Sequence, residues 1–452
     1  MKSVVTCDME GRILTINNAA EKIFGYNKSE LIGKKRVSIF SPGEIVLQNV
    51  SGWLKKANKF GEFVSETYFL KKDGTKINAR IRITPIFSNG KNKPQTGYCG
   101  VTIPIEKEVF VKINLLTKII KVLAITRMPF TSASLLPVLC VGAFYASLGN
   151  DLFNITNLIL SAFGILLLHM GVNVYNDYFD VKDGTDEVNN NYFNSGGISN
   201  ILKKFSAQIS GGSRAIELRL INLKDTKLLA NILLVLSLLI GFIIFYNSLL
   251  ITGSFYNVFG ALSIGFLGLF LGYFYTAYPL RLSSRKGFGE LSIFLAFGPL
   301  LTLGTAFAIS NETIGIFSEM FYHLLFFGFP MGLLTTNILY INQFPDAESD
   351  AKTGKNNLVV ILGKKNARWL YLIFLILAFI SSYYMLSIFS SLILNFRSDL
   401  FQIILFTLLT FGFYIFIRLF NDYDSRELIR SNVNTIVLQA LFCIFYIIVL
   451  LL

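Results

Sequence analysis

The sequence is poor in charge, cysteine and histidine, and each shortage excludes a class of protein. Only 15% of its 452 residues are charged and 53% are hydrophobic, which is typical of a membrane protein rather than a soluble one. The two histidines, His169 and His323, lie in apolar runs, where we expect packed side chains rather than acids or bases. Another role is the alternative for His169 alone, because it lies one helical turn before Asn173 on the same face. No apolar segment follows Met1, so no cleavable signal peptide is expected. The four cysteines have neither paired nor metal-type spacing, and we expect reduced thiols at Cys7, Cys99, Cys140 and Cys443.

Residues 1–106 have the composition of a polar domain and alternate strand-like and helical pieces. Strands are predicted at 4–8, 13–16, 62–71, 76–86 and 96–104, with short helices between the second and third. Asn capping residues are expected to begin the first helix, Gly25 to end it, and Asp73-Gly74 to form a hairpin turn. The order, with DMEGRILTINNAAEKIFGYNKSELIGK and FLKKDGTKINARIRITPIF, resembles a PAS domain, a small α+β module.

The residues of this domain also limit what it can bind. It has no histidine for haem, and Cys7 and Cys99 lie on the first and last strands, whereas a flavin adduct needs a cysteine on the central helices. We expect small buried thiols, with a lone thiolate haem ligand as the alternative. The expectation is a colourless regulatory or dimerisation module, which could bind an apolar metabolite or a quinone.

A segment from Glu108 to Ile125 joins this domain to the apolar remainder of the chain. Apolar residues recur there at helical spacing with lysines among them, which predicts an amphipathic helix on the membrane surface. A plain helical linker is the alternative. The expected domains are therefore a PAS-like domain at 1–106, a linker helix at 107–125 and a membrane domain at 126–452.

Nine apolar runs follow, each near the length that a bilayer requires. They lie at 130–149, 156–177, 228–246, 256–278, 289–309, 317–340, 368–392, 401–420 and 435–452. Lys and Arg cluster before the odd-numbered runs, whereas the intervening loops carry only Arg397. By the positive-inside rule, the N-terminus and the loops 178–227 and 341–367 face the cytoplasm, and Leu452 lies outside. Membrane topology, rather than nucleic-acid binding, therefore explains the formal net charge of +13.

Two acidic segments occur at the ends of the second and sixth runs, on the same predicted side of the membrane. NVYNDYFDVKDGTD places three oxygen-bearing side chains on one helical face, and INQFPDAESD repeats them at i, i+4 and i+8. They are Asn173, Asp177 and Asp180 in the first segment, and Asn342, Asp346 and Asp350 in the second. Oxygen ligands suit Mg²⁺, which usually binds between carboxylates and a substrate phosphate. Two such helix ends with Lys and Arg around them predict a site for a Mg²⁺-bound diphosphate; a solvated acidic turn is the alternative for the first alone.

These segments, with YFYTAYPLRL, GFGELSIFLAFGPLLTLG and TRMPFTSASLLPV, resemble the signatures of the UbiA prenyltransferase superfamily over roughly Thr126 to Leu452. The first acidic segment has the form NDxxDxxxGxD. Together with SGGSR at 210–214, this motif most resembles the branch of the superfamily that prenylates 1,4-dihydroxy-2-naphthoate in menaquinone synthesis. Tyr278 departs from that branch, which often has a second proline there. The implied fold is an all-α polytopic membrane protein, a UbiA-type bundle of nine transmembrane helices preceded by the PAS domain.

The resemblance implies an enzyme of the cytoplasmic membrane, with its active site on the cytoplasmic side, that uses Mg²⁺ to move a polyprenyl group from its diphosphate to an aromatic acceptor. The six Asn and Asp residues above would bind the metal. The implied catalytic residues are Asp177, Asp180, Asp346, Asp350 and Tyr275, and the implied substrate-binding residues are Lys182, Asp186, Arg214 and Arg281. The alternative acceptors are 4-hydroxybenzoate, homogentisate, a chlorophyllide and a glycerol-phosphate lipid. A non-catalytic PAS-linked membrane sensor and a transporter are the alternatives of other classes.

Overall fold

The computed structural model describes residues 1–90, 92–182, 215–253, 255–425 and 427–452. The chain forms two compact units. The first comprises residues 1–125 with 213–225, and the second comprises residues 126–212 with 226–452.

The first unit is built on a five-stranded antiparallel sheet with the order β2-β1-β5-β4-β3. The strands are β1 (Ser3–Asp8), β2 (Ile13–Ile16), β3 (Phe63–Leu70), β4 (Lys76–Ile86) and β5 (Gly97–Pro104). Four α-helices lie between β2 and β3: α1 (Asn18–Phe24), α2 (Lys28–Leu31), α3 (Gly43–Ile45) and α4 (Ser51–Phe60). The predicted order of strands and helices is therefore confirmed.

Local sequence signals determine where these elements begin and end. The Asn17 side chain accepts a hydrogen bond from the Ala20 amide at 2.9 Å and so caps α1. Gly25 ends the helix with a φ of 75°, a conformation that favours glycine. Gly74 has a φ of 87° in the turn between β3 and β4. The predicted start and end of α1 and the predicted hairpin turn are therefore confirmed.

A segment from far along the chain, residues 215–225, also belongs to the first unit. Leu220 is buried, and Arg219 Nη2 donates a hydrogen bond to Tyr26 Oη at 2.6 Å. Gly43 permits the contact, because a Cβ at that position would lie 2.4 Å from the Leu218 carbonyl oxygen. The sequence pattern did not predict this docking.

The linker helix α5 (Leu115–Thr126) is shorter than predicted. The residues before it are not helical because Gln48 binds their backbone: its Nε2 donates to the Lys112 carbonyl at 3.0 Å, and its Oε1 accepts from the Asn114 amide at 2.9 Å. Asn114 then caps the helix by accepting from the Thr117 amide at 2.7 Å. The predicted helical start near Glu108 is therefore wrong. Large apolar side chains are exposed on α5, at Leu115, Leu116, Ile119 and Val122.

Among the described residues, nine helical segments are long and apolar enough to cross a membrane, which confirms the predicted number. The helices are α6 (Ser132–Leu148), α7 (Ile155–Lys182), α8 (Leu223–Thr252), α9 (Phe255–Thr276), α10 (Phe288–Phe297), α11 (Pro299–Ile309), α12 (Glu319–Lys352), α13 (Leu358–Leu392), α14 (Ser398–Asp422) and α15 (Leu428–Leu451). Helices α10 and α11 together make the fifth segment. The chain is thus a multi-span membrane protein.

The sixth and seventh segments extend furthest beyond their predicted runs, and the fifth is divided. Helix α12 continues through Pro345 to Lys352, because polar residues end an apolar run without ending a helix. Helix α13 begins at Leu358 and contains a kink at Gly363, where φ is 69°. The fifth segment divides at Gly298, which packs so closely on α12 that a Cβ would lie 2.6 Å from the Gly328 carbonyl oxygen.

The core of the second unit lies mainly among α6 and α11–α15. Tyr340, Phe344, Tyr371 and Phe389 are fully buried there. Helices α8 and α9 instead expose many large apolar side chains, as lipid-facing helices do. The uneven packing leaves room between the core and these outer helices.

Candidate active site

A cavity of about 480 Å³ lies among α6–α12. Most of its wall is apolar and is supplied by α7–α11. The polar lining residues come chiefly from the C-terminal ends of α7 and α12 and from the segments next to them: Arg127, Asn173, Asn176, Asp180, Asn342, Gln343, Asp346, Asp350, Lys355 and Asn357. The two acidic segments found in the sequence therefore open on one cavity.

One ion pair joins α7 to the segment that follows α12, and two hydrogen bonds fix that segment against Asp350 at the end of α12. Lys355 Nζ forms an ion pair with Asp180 Oδ1 at 2.6 Å. Asn357 Nδ2 donates to Asp350 Oδ2 at 2.8 Å, and the Lys355 amide donates to the Asp350 carbonyl at 2.8 Å. Asp180 of the first acidic segment is thus paired with a cation that lies just after the second.

Asn173 and Asp177, the other residues of α7 that were predicted to bind the metal, are more buried than Asp180. Asp177 is buried, is paired with Arg127, and is absent from the described lining of the cavity. Asn173 lines the cavity, and its buried Nδ2 finds no hydrogen-bond partner among the described residues. An amide hydrogen in that position suits an oxygen atom of an anionic ligand.

Hydrogen bonds from neighbouring side chains orient two of the polar lining residues, Asn176 and Asn342. Thr276 Oγ1 donates to Asn176 Oδ1 at 2.9 Å, and Asn432 Nδ2 donates to Asn342 Oδ1 at 2.8 Å. Tyr275, the predicted pocket residue, lines the cavity beside Thr276. These contacts hold amide oxygens in fixed positions, as a preorganised site requires.

The predicted substrate-binding residues are distributed differently. Lys182 is exposed at the end of α7, and Arg281 lies near Tyr278, to whose Oη its Nη1 donates at 2.8 Å. Neither residue is among those that line the cavity. Asp186 and Arg214 lie outside the described residues.

Sequence reasoning missed several polar lining residues, among them Arg127, Lys355 and Asn357. Arg127 and Lys355 were interpreted as topology-setting charges, although Lys355 lies only five residues after Asp350, the last residue of the second acidic segment. His169 was expected to be packed. Its position one helical turn before Asn173, on the same face of α7, was the reason for the alternative role given above.

The donor chemistry of this site fits a hard cation. Its ligand atoms are carboxylate and amide oxygens, which Mg²⁺ prefers. In the described residues, no group of three or more His, Cys, Asp or Glu side chains is arranged to hold a metal ion. The described carboxylates are instead bound to residues of the chain itself, as Asp180 is to Lys355 and Asp350 is to Asn357.

Comparisons with known proteins agree with this architecture. Residues 134–442, more than half of the chain, match the UbiA prenyltransferase family, and residues 2–100 match the PAS domain. Over 113 residues the chain is 34% identical to UbiA prenyltransferase domain-containing protein 1 of Dictyostelium discoideum, covering 24% of this chain and 31% of the relative. Over 229 residues it is 27% identical to the 1,4-dihydroxy-2-naphthoate octaprenyltransferase of Haemophilus influenzae, covering 50% of this chain and 64% of that protein.

The chain therefore spans less than two thirds of the length of either relative. A solved UbiA homologue from Aeropyrum pernix K1 is similar in fold, with a TM-score of 0.50 and 16% identity over 72% of this chain and 99% of that one. The chain belongs to the UbiA prenyltransferase family and carries a PAS domain ahead of its membrane helices.

Proposed function

We propose that this protein is a Mg²⁺-dependent prenyltransferase that moves a polyprenyl group from its diphosphate to an aromatic acceptor within the membrane. The observation that carries the proposal is the division of one cavity into two kinds of wall. The ends of α7 and α12 supply carboxylates and amides, Arg127 before α6 and Lys355 after α12 supply cations, and α7–α11 supply an apolar wall. A polyprenyl diphosphate has the same division, with a charged head and a long hydrocarbon tail.

The head of the substrate would bind at the polar part of the cavity. Asn173, Asp177, Asp180, Asn342, Asp346 and Asp350 are the residues that would hold Mg²⁺. The metal, when bound, supplies positive charge that stabilises the departing diphosphate. Lys355 and Arg127 contribute positive charge of the chain itself, and the Asn173 amide contributes a hydrogen-bond donor to an anionic oxygen.

The reaction is written as an alkylation of an electron-rich ring. The bond between the allylic carbon and the diphosphate oxygen breaks, and its electron pair leaves with diphosphate. A ring carbon of the acceptor supplies the pair that forms the new carbon–carbon bond. The ring becomes aromatic again by losing CO₂ when the acceptor is a hydroxynaphthoate. Apolar walls exclude water, which would otherwise capture the allylic cation.

We propose 1,4-dihydroxy-2-naphthoate as the acceptor. Support comes from the NDxxDxxxGxD form of the first acidic segment and from the name of the Haemophilus influenzae relative. The competing acceptors are 4-hydroxybenzoate, homogentisate, a chlorophyllide and a glycerol-phosphate lipid.

We also propose in which membrane the protein lies, how it is oriented there, and what its PAS domain does. The lysine and arginine distribution supports a cytoplasmic-membrane protein whose N-terminus and acidic helix ends face the cytoplasm. The PAS domain would act as a regulatory or dimerisation module outside the chemistry, since the cavity residues all belong to the second unit.

The test is to incubate purified full-length protein with Mg²⁺, geranylgeranyl diphosphate and each candidate acceptor, and to identify products by mass spectrometry. We expect a prenylated naphthoquinol with loss of CO₂. Prenylation of a different acceptor would correct the acceptor alone. No prenylated product with any acceptor, from protein that is folded and inserted in lipid, would overturn the proposed function.

A further inference from the structure

His169 lines the cavity one helical turn before Asn173 on α7 and is partly exposed. Its Nδ1 lies 2.8 Å from Ser134 Oγ of α6, and both residues are part of the cavity wall. Its ring packs edge-on against Phe297, with the ring centroids 5.0 Å apart. The imidazole is therefore held on two sides, which fixes the orientation of its second nitrogen.

The hydrogen bonds of Ser134 determine which nitrogen of His169 carries the proton. The Ser134 hydroxyl has one hydrogen, and the Thr131 carbonyl oxygen 3.0 Å away can only accept it. Both contacts of Ser134 are satisfied together only when His169 Nδ1 donates to Ser134 Oγ. Nε2 of the neutral ring is then a lone-pair acceptor, and among the described residues nothing donates to it.

We propose that His169 Nε2 accepts a hydrogen bond from the hydroxyl of the aromatic acceptor, which makes His169 an acceptor-binding residue. The inference rests on the proposed function. With the diphosphate at the polar part of the cavity, the attacking ring carbon must lie about 3–3.5 Å from the allylic carbon. The hydroxyl that activates this carbon is on the neighbouring ring atom. One helical turn, about 6 Å along α7 from Asn173, brings His169 to that depth.

The hydrogen bond would serve both selection and reactivity. It draws the hydroxyl proton towards nitrogen, which raises the electron density of the neighbouring ring carbon and favours its attack. It also rejects rings that lack the hydroxyl, because such a ring would leave Nε2 unpaired in a desolvated wall. Sites that hydrogen-bond a substrate hydroxyl discriminate strongly for this reason.

The test compares full-length wild type with His169→Phe and His169→Gln, using geranylgeranyl diphosphate with 1,4-dihydroxy-2-naphthoate and with its ether methylated at the hydroxyl beside the reacting carbon. We expect His169→Phe to lower kcat/KM for the free hydroxyl compound by about 10–100-fold, with an unchanged KM for the diphosphate. Glutamine keeps an oxygen acceptor and should restore part of the activity. On the methyl ether, wild type and His169→Phe should react equally slowly.

His323→Phe is the matched control, because His323 is the chain's other histidine and is not among the residues that line the cavity. It should react like wild type with both compounds. Ser134→Ala, which removes the group that fixes the tautomer, should cause a smaller loss that is again confined to the free hydroxyl compound. Equal losses on the hydroxyl compound and the ether would show that His169 only packs, and would overturn the inference while leaving the proposed function intact. A wild type that prenylates no acceptor overturns both.

Discussion

Lys355 Nζ lies 2.6 Å from Asp180 Oδ1, so a cation after the second acidic segment neutralises a carboxylate of the first. The side chains are only 13% and 22% exposed, so water screens the pair less than it screens a surface pair. The pair joins two parts of the chain that lie 175 positions apart in sequence. It therefore couples the ends of α7 and α12 at the place where the proposed diphosphate would bind.

Lys355→Met should raise the KM for the prenyl diphosphate by about tenfold or more, because the substrate loses a charge-assisted contact and Asp180 loses its partner. Steady-state kinetics at saturating Mg²⁺ and acceptor would measure it. Lys364→Met is the control, since Lys364 pairs with the exposed Asp424 and Glu348 and does not line the cavity. An unchanged diphosphate KM in Lys355→Met would contradict the assigned role.

Asp346→Ala should abolish prenyl transfer, with a loss of about a thousandfold or more, because it removes a carboxylate from the shared site. Glu348→Ala changes a carboxylate on the same helix that is exposed and does not line the cavity, so its turnover should remain near that of wild type. Activity in both variants would exclude a specific role for Asp346.

Excess EDTA should stop turnover of the wild type, and added Mg²⁺ should restore it. Product formation followed before and after each addition would measure the effect. Undiminished turnover in the chelator would refute metal dependence without affecting the fold.

Labelling of single cysteines with a membrane-impermeant maleimide should show opposite sides for Thr313→Cys and Lys286→Cys, in a background without the four native cysteines. Thr313 follows the fifth span and Lys286 precedes it, and both are exposed. Intact cells should label the first only, because the charge distribution assigns Lys286 to the cytoplasm. The reverse pattern would invert the proposed orientation.

Purified full-length protein should show no visible absorbance band. Burial raises the pKa of the Cys7 thiol to about 11, and burial also raises the pKa of Cys99, so both remain protonated at neutral pH and are poor ligands for haem iron. An absorption spectrum of the protein as isolated from its native membrane measures this. A haem or flavin band that co-purifies with the protein would refute the expectation.

Much of this architecture could be predicted from sequence, and the successes share a physical basis. The caps at Asn17 and Gly25, the hairpin at Gly74 and the nine spans depend on neighbours in sequence or on bilayer thickness. The prediction that the two acidic segments lie on one side of the membrane followed from the distribution of Lys and Arg among the loops, and helical spacing placed their side chains on one face of each helix. Contacts between residues distant in sequence were not predictable. No local sequence pattern indicates the ion pair of Lys355 with Asp180 or the hydrogen bond of His169 with Ser134.

The docking of residues 215–225 on the first unit has a consequence for the mechanics of the chain. Ile125 and Ala215 both belong to the first unit, and the first two spans lie between them in sequence, so the two end points of this stretch are held in one folded body. The unit therefore acts as a non-covalent staple that closes a loop, and a closed loop has fewer unfolded conformations than an open one. Unfolding of the PAS domain would open that loop, so the conformational freedom of the first two spans depends on a domain that does not cross the membrane.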